Sequence, residues 1–293
     1  MPNNAIELFK QYIALLDEIY KLEAKTNVLD GANELVRQGA NANELVIPMI
    51  SMDGLANYDR KSGYVNGSVD FTFETVKCNF DRGRMFSVDV MDNIETMGMV
   101  FGKLSSEFVR TKVIPELDAF RMAKYASLDN ISTPAAADLA TGDAVVKALR
   151  AATTKMNNDE VPESGRILFI ESGLKGLVDD LDTTKSKEVM KRFSRIVEMP
   201  QNRFYTEIKQ LSGESGEEAG GYARAEGANN INFLVVEKSA AIQFAKRVNS
   251  KIITPEQNQD ADAYKYGYRQ VCIADAYKNK RAGIYLHKST VTA

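Results

Sequence analysis

Residues 92–126 read DNIETMGMVFGKLSSEFVRTKVIPELDAFRMAKYA, and this stretch decides the fold. Asp92 and Glu95 have the spacing of two side chains that satisfy free backbone N–H groups where a helix begins. The sequence therefore predicts a helix of about 33 residues, which at about 1.5 Å per residue spans roughly 50 Å. Pro115 removes one backbone hydrogen bond and predicts a bend within this helix.

The long helix is expected to pack in two different environments. Its apolar residues are Ile94, Met97, Phe101, Leu104 and Phe108 on one face before the proline, and Val113, Leu117 and Phe120 on another flank after it. Lys103, Arg110 and Arg121 lie roughly opposite the first face. Because acidic residues are close to them in the helix, a solvated surface is the more ordinary interpretation of this basic face.

The composition limits the classes of protein that need to be considered. The chain has 293 residues with 37 Lys and Arg against 40 Asp and Glu, a net charge of −3. This balance provides no bulk attraction to nucleic acid or to an anionic membrane. Cys78 and Cys272 are the only cysteines and belong to no CxxC pattern, which indicates reduced thiols. No apolar run approaches about 18 residues, so we expect no membrane span.

Two segments before the long helix are expected to project from the core. Residues 4–25 have apolar side chains at helical spacing, which predicts an amphipathic helix that is either an arm or a first core helix. Residues 69–90 alternate apolar and polar side chains around a turn at 81–83, which predicts a long β-hairpin. Because a two-stranded ribbon alone is marginal in water, this hairpin is expected to lie on another subunit.

The remainder of the chain predicts a mixed α/β unit. Helices are expected at 143–157, 174–181, 185–193 and 239–247, and strands at 166–171, 196–199, 231–236 and 251–254. Two further strands, 268–276 and 284–287, are expected to form a closing hairpin. The acidic, glycine-rich run 213–221 is expected to be a flexible exposed loop.

No residue pattern in the sequence predicts catalysis or a bound cofactor. His287 is the only histidine, so a multi-histidine metal site or a Ser-His-Asp device has little support. The run from Gly98 to Lys103 is similar to a phosphate-binding loop, but its spacing is wrong and it lies within the predicted helix. We therefore expect no catalytic, cofactor-binding or metal-binding residues.

Several stretches follow one another in an order that is typical of one known family. They are YDRKSGYVNGSVDFTFETVKCNFDRGRMFSVDVMDNIET (58–96) with the helix after it, RILFIESGLKGL (166–177), RIVEMPQNRF (195–204), KIITPEQNQDADAYKYGY (251–268) and KNKRAGIY (278–285). Because these stretches occur in this order, the chain resembles the Hong Kong 97-type major capsid proteins of tailed bacteriophages. Each stretch is a diffuse pattern, but together they cover nearly the whole chain.

The resemblance implies an α+β capsid fold with four parts. These are an N-terminal arm (1–44), an extended E-loop hairpin (45–91), a P domain made of the long helix (92–132) and returning strands (251–293), and an A domain (133–250). It also implies that the arm and the E-loop contact neighbouring subunits. The E-loop residues expected at that contact are Tyr58, Arg60, Lys61, Tyr64, Phe71, Phe73, Arg82 and Arg84.

The same resemblance implies a structural, non-enzymatic head protein. Hexamers and pentamers would close an icosahedral shell around packaged double-stranded DNA, with Lys103, Arg110 and Arg121 as weak inward-facing contacts to DNA. The expected location is the virion capsid, assembled in the host cytoplasm. Expected partners are further copies of the chain, a portal protein, a decoration protein and either a separate scaffolding protein or none. The alternatives are an encapsulin-like compartment shell with the same fold and, outside it, a soluble α/β enzyme or binding protein.

Overall fold

A computed structural model describes residues 24–31, 37–38, 44–61, 63–91, 99–181 and 183–292. The strands are β1 (Arg37–Gln38), β2 (Glu44–Met52), β3 (Val69–Lys77), β4 (Phe80–Asp89), β5 (Arg166–Glu171), β6 (Arg195–Met199), β7 (Ile208–Gln210), β8 (Tyr222–Arg224), β9 (Asn229–Glu237), β10 (Ala241–Ile253), β11 (Ala263–Ala276) and β12 (Ile284–Thr292). The α-helices are α1 (Met99–Phe108), α2 (Ile114–Ala126), α3 (Gly142–Asn158), α4 (Ser172–Asp179) and α5 (Thr184–Met190). The helix predicted over 4–25 lies almost entirely outside the described residues.

The predicted long helix is present from Met99 to Ala126. A π-helical turn, Val109–Val113, joins α1 to α2 immediately before Pro115. Proline has no N–H to donate to the preceding turn, and the helix accommodates this by widening, so that the Ile114 N–H donates to the Val109 carbonyl. The distortion therefore occurs where the proline predicts it. The capping pair Asp92 and Glu95 lies outside the described residues.

The long helix packs in two environments, but not along the two flanks predicted from the sequence, since Phe108, Val113, Leu117 and Phe120 all lie in or against one cluster. Around the π turn, Val109, Val113, Ile114 and Leu117 belong to an apolar cluster with Phe80, Tyr266 and Tyr268. Farther along, Met122 and Tyr125 belong to a second cluster with Phe169, Leu234 and Leu286. The helix therefore connects two separate cores.

A four-stranded sheet in the order β12-β9-β5-β6 forms the centre of the α/β unit. Strands β5 and β6 are parallel, while β9 is antiparallel to both β5 and β12. Ile167 and Phe169 face α2, and Leu168 and Ile170 face α3 on the other side. Because successive side chains of a strand point to opposite faces, one run of buried apolar residues supplies both cores.

The hairpin predicted within residues 69–90 is wrong in its pairing. Strand β3 pairs with β2, and β4 pairs with β11 in a three-stranded sheet ordered β10-β11-β4. Residues 81–83 lie inside β4 rather than in a turn. The side chain of Asn79 accepts from the Ala274 N–H and donates to its carbonyl, which directs the chain after β3 onto β11.

The helix predicted over 239–247 is also wrong. Lys238–Ala240 forms a 3₁₀ turn and the chain then continues as β10, which pairs with β11 along its length. Ile242 and Gln243 are both buried, so successive residues of this strand are covered on opposite faces. Pairing and burial therefore override the helix propensity of an alanine-rich segment.

The predicted closing hairpin between 268–276 and 284–287 is wrong as well. After β11, a 3₁₀ segment at Lys278–Gly283 carries the chain to the other sheet, where β12 pairs with β9. The two C-terminal strands therefore belong to different sheets. The domain boundary expected at residue 250 falls within β10.

Candidate assembly interface

Strands β2 and β3 form a β-hairpin, to which the two-residue β1 is added at the β2 edge. The hairpin extends from the β10-β11-β4 sheet and carries the exposed loop that joins β2 to β3, residues 53–68. At its base, Val76 is buried against Ile242 of β10 and Ile273 of β11. At its neck, the Ser68 N–H donates to the Asp53 carboxylate over 2.7 Å. The hairpin is therefore anchored at one end and closed where its loop begins.

One face of this hairpin is apolar and uncovered. Ile50 lies opposite Phe71 across the strand pair, and Met52 lies opposite Val69, so these side chains share a face. Phe73 lies on the same face and packs edge-on against Phe71 with ring centroids 4.9 Å apart. Phe71 is 55% exposed and Phe73 is 60% exposed. Contiguous exposed apolar surface of this kind is uncommon on monomeric proteins and makes this face the candidate interface.

The opposite face of the hairpin is polar near the loop and along β3, whereas in β2 Met49 is paired with Thr72 and Ile47 with Glu74. Ser51 lies opposite Asp70, and Thr72 is on the same side because it alternates with Phe71 and Phe73 along β3. All three polar residues are exposed. The two faces therefore differ along β3, where Phe71 and Phe73 lie on one face and Asp70 and Thr72 on the other.

The loop at the end of the hairpin presents aromatic and basic side chains. Tyr58 and Tyr64 pack together with ring centroids 4.8 Å apart, on either side of a backbone bridge between Asp59 and Gly63. Arg60, Lys61 and both tyrosines are exposed. The structure brings the four predicted loop residues together at one tip, and their contact with a neighbouring subunit stays a prediction.

Arg82 and Arg84 lie in β4 and not in the hairpin. Arg82 donates to Glu116 of the long helix over 2.8 Å and to the carbonyls of Leu211 and Gly221. Arg84 donates to the Glu218 carbonyl over 2.7 Å. Both arginines therefore hold the 211–221 loop of their own chain, and a contact of either with a neighbouring subunit stays a prediction.

The acidic, glycine-rich loop is held by several contacts rather than being an unattached tip. Lys209 pairs with Glu217 over 2.6 Å, and the Ser212 N–H donates to the same carboxylate. These two interactions lower the pKa of Glu217 to about 2. These contacts hold the loop together, and the bonds from Arg82 and Arg84 attach it to β4.

Arg121 is fully buried, and this corrects its predicted role at the DNA-facing surface. Its guanidinium donates to the Thr26 hydroxyl over 2.8 Å and lies 3.6 Å from the Asp30 carboxylate. Arg110 is about half exposed and pairs with Glu107 over 2.5 Å. Lys103 lies in α1, and its side chain falls outside the described part of the structure. The inward-facing role of Arg110 and Lys103 stays a prediction.

His287 has the structural role favoured by the sequence. It is buried, stacks on Phe233 with ring centroids 5.0 Å apart, and accepts a hydrogen bond from the Asn232 amide. Burial lowers its pKa. Among the described residues, no three His, Cys, Asp or Glu side chains lie close enough together to hold a metal ion. No helix in the described ranges is long and apolar enough to cross a membrane.

Comparisons with known proteins identify the fold. No protein-family model and no curated protein sequence matches the chain. The capsid structure of Staphylococcus phage Andhra is similar over 90% of this chain and 86% of that one, with 11% identity and a TM-score of 0.55. The mature capsid of bacteriophage PhiM1 is similar over 86% of this chain and 83% of that one, with 13% identity and a TM-score of 0.53.

A virus-like particle from Pyrococcus furiosus is also similar. The match covers 96% of this chain and 99% of that one, with 9% identity and a TM-score of 0.58. At such identities the similarity establishes the fold. The chain has the α+β, Hong Kong 97-type capsid fold that its sequence resembles.

Proposed function

We propose that the chain is the major capsid protein of a tailed bacteriophage. Its hexamers and pentamers assemble into an icosahedral shell that encloses packaged double-stranded DNA. Its role is structural and not enzymatic, its place is the virion capsid, and assembly occurs in the host cytoplasm. The fold shared with phage capsid structures supports this role.

The observation that carries the proposal is the apolar face of the β2–β3 hairpin. Ile50, Phe71 and Phe73 are exposed on a ribbon that is anchored only at its base. Strand β1 pairs with β2 only at Val46 and Leu45, so the part of the hairpin that carries the apolar face is two-stranded and gains stability by lying on another copy of the chain. Repeated in a closed lattice, interfaces of roughly 1,200–2,000 Å² each would together stabilise a shell.

Other partners follow from the same proposal. A portal protein, a decoration protein and a separate scaffolding protein would each meet the shell at its surfaces. Packaged DNA would meet Arg110 and Lys103 as weak, sequence-independent phosphate contacts. Because the chain carries a net charge of −3, contacts to DNA must be local.

An encapsulin-like compartment is the second candidate. A virus-like particle from Pyrococcus furiosus is similar to this chain over nearly the full length of both chains. This similarity supports the compartment as a second candidate. Both candidates predict a closed shell built from this subunit. They differ in what the shell contains.

The test is electron microscopy of the purified protein with sedimentation velocity on the same sample. Shells, rings or open lattices are the expected result. A compact monomer of 32.5 kDa, even in the presence of a candidate scaffold, would overturn the proposal and favour the enzyme or binding-protein alternative. For particles isolated from the natural source, nuclease-protected genomic DNA supports the phage head, and a protein cargo supports the compartment.

A further inference from the structure

Residues 211–221 join β7 to β8 and form a strap that is shaped by its own hydrogen bonds. The Leu211 N–H donates to the Gly221 carbonyl over 2.9 Å and closes the neck of the strap. Nearer the tip, the Glu217 N–H donates to the Glu214 carbonyl over 2.8 Å. The Glu217 carboxylate is held by an ion pair from β7 and by a backbone N–H of the strap. The strap therefore keeps its shape without help from β4.

Two consecutive glycines lie where the strap rejoins β8. Gly220 has a φ of +63° and Gly221 a φ of +81°, a backbone conformation that L side chains rarely adopt. A Cβ at Gly220 would lie 2.7 Å from Nη1 of Arg84, so glycine also permits the close approach of this arginine. Because glycine changes its backbone angles with little steric resistance, this pair can act as a hinge.

The strap is tied to the rest of the subunit by two arginines of β4. Arg82 donates to the carbonyls of Leu211 and Gly221 over 2.7 and 3.1 Å, so one guanidinium holds both ends of the neck. Arg84 donates to the Glu218 carbonyl over 2.7 Å, nearer the tip. Within the described ranges, no other hydrogen bond joins the strap to a part of the chain outside β7 and β8.

Glu116 of the long helix sets the position of Arg82. Its carboxylate is nearly buried and accepts from Nε of Arg82 over 2.8 Å, which leaves Nη2 of the arginine to face the strap. An arginine whose guanidinium is already fixed loses less conformational entropy when it binds a carbonyl. The long helix therefore contributes to holding the strap, although it makes no direct hydrogen bond to it.

Burial of apolar surface adds little to this attachment. No residue of the strap is buried, and the strap lines one side of a cleft of about 1000 Å³ rather than packing on a core. A segment with few buried apolar contacts opens at a low free energy compared with the core. The bonds from Arg82 and Arg84 are therefore the main restraint on the strap.

We propose that the 211–221 strap swings away from β4 as one unit when Arg82 and Arg84 release its carbonyls. The bonds within the strap stay in place, and the chain turns at Gly220 and Gly221. Opening widens the cleft and frees the guanidinium of Arg84, which has no carboxylate partner among the described residues. The proposal concerns the subunit itself and does not depend on the capsid role.

The test measures the distance between the strap and β4 in the full chain. Nitroxide labels are attached at Ser215→Cys in the strap and Ser87→Cys in β4, both at exposed positions, in a Cys78→Ser background. The remaining thiol, Cys272, is buried. The labelled chain is mixed with an excess of unlabelled chain, so that electron spin resonance reports distances within one copy. We expect a single short distance to dominate.

Two variants remove the restraint on the strap. Arg84→Met removes the bond near the tip and leaves no buried charge without a partner, so this variant is expected to fold. Arg82→Met is combined with Glu116→Gln so that no nearly buried carboxylate loses its cation. In each variant we expect the population at long distance to rise at least tenfold, since a hydrogen bond from a charged donor changes an equilibrium by about that factor. Unchanged distances in both variants would overturn the proposal.

The matched control is Arg269→Met. Arg269 lies in β11 beside β4 and pairs with Asp81 over 2.6 Å, but it makes no bond to the strap. We expect its distance distribution to match that of the chain without this change. An equally long distance in this variant would show that the loss of any arginine from the sheet is sufficient, which would overturn the roles of Arg82 and Arg84.

Hydrogen exchange distinguishes a strap that opens as one unit from a loop that unfolds. In Arg84→Met, the N–H groups of Leu211, Glu217 and Gly220 should keep their protection, because their acceptors lie within the strap and move with it. Glu217→Ala is the positive control, since it removes the acceptor of the Ser212 N–H and should speed exchange there. Loss of protection throughout the strap in Arg84→Met would overturn movement as one unit.

Discussion

Asp118 on the long helix and Thr26 near the N-terminus form a fully buried pair, with the Thr26 hydroxyl donating to the carboxylate over 2.7 Å. Arg121 donates to the same hydroxyl from the next turn of the helix. Burial raises the pKa of Asp118, while the hydrogen bonds from Thr26 and the charge of Arg121 oppose that rise. This cluster attaches the N-terminal segment to the centre of the molecule.

Replacing Asp118 is therefore expected to be costly. Asp118→Ala would leave the N–H groups of Lys25 and Thr26 without their acceptor and Arg203 without its paired carboxylate, and we expect a loss of about 3–5 kcal/mol in the free energy of unfolding. Urea unfolding of the unassembled subunit would measure it. Asp180→Ala, at an exposed aspartate, should stay within about 0.5 kcal/mol of wild type. Similar values for the two variants would contradict the assigned role.

Gly83 permits the close approach of β4 to β11. A Cβ at this position would lie 2.7 Å from the Tyr268 carbonyl oxygen, which is backbone and cannot move aside. We expect Gly83→Ala to destabilise the subunit by about 1–3 kcal/mol. Thermal unfolding would show the change as a lower midpoint.

The control for this prediction is Gly54→Ala in the hairpin loop. No atom lies within 4 Å of a Cβ built at Gly54, and this residue has no left-handed backbone conformation. It should be neutral or slightly stabilising, since alanine restricts the unfolded chain. A Gly83→Ala variant as stable as Gly54→Ala would show that β4 and β11 can separate at little cost.

His287 should make stability depend on pH. Its pKa in the folded chain is lowered from the ordinary value of 6.5 by burial, so below that pH the unfolded chain binds more protons than the folded chain. Stability is therefore lost as pH falls from about 6.5 towards the lower folded pKa, at no more than about 1.4 kcal/mol per pH unit. Chemical unfolding at pH 7.5 and pH 5.5 would measure the loss.

The variant His287→Phe isolates this contribution. Phenylalanine keeps a flat ring against Phe233 but does not titrate, whereas carboxylates such as Asp118 titrate in both proteins. Between the two pH values the variant should lose less stability than wild type, by no more than about 1.4 kcal/mol. Parallel pH dependences would exclude His287 as the cause.

Phe71 is expected to matter for assembly and not for the fold of the subunit. Phe71→Asp places a charge on the exposed apolar face of the hairpin and should reduce shell formation at least tenfold by sedimentation. Because the side chain is 55% exposed, unfolding of the subunit should change by less than about 1 kcal/mol.

The matched substitution is Thr72→Asp, which adds the same carboxylate to the polar face of the same strand. It should leave assembly close to wild type. If both variants assemble normally, the apolar face of the hairpin is not an interface. If both fail, charge on either face is sufficient to block it.

The spacing of apolar residues correctly predicted whether a segment is a helix or a strand where that segment packs against the core. The long helix, its distortion at Pro115 and the buried strand β5 follow from local spacing alone. The contact residues Tyr58, Tyr64, Phe71 and Phe73 came from the family resemblance, and their role stays a prediction. Alternation showed that Phe71 and Phe73 lie in a strand, but it did not show which strand pairs with it.

The wrong predictions of strand pairing, of a helix at 239–247 and of an exposed Arg121 share one cause. Alternation in β3 and β4 shows that both are strands, but their partners β2 and β11 are chosen by contacts between distant parts of the chain. The segment 239–247 has helix formers, yet β11 lies beside it and provides a ladder of hydrogen bonds. Helical spacing likewise placed Arg121 on a basic face, and only packing against residues 25–30 shows that it is buried.

By itself the sequence determined the long helix, the alternation of the strands, the balance of charge and the resemblance to a capsid fold, since each depends on spacing or order along the chain. Only the tertiary structure decided which strands pair, which charged residues are buried and which apolar side chains stay uncovered. Asp118 and Thr26 are far apart in sequence and adjacent in space, and a buried carboxylate needs donors that only the folded chain can bring to it.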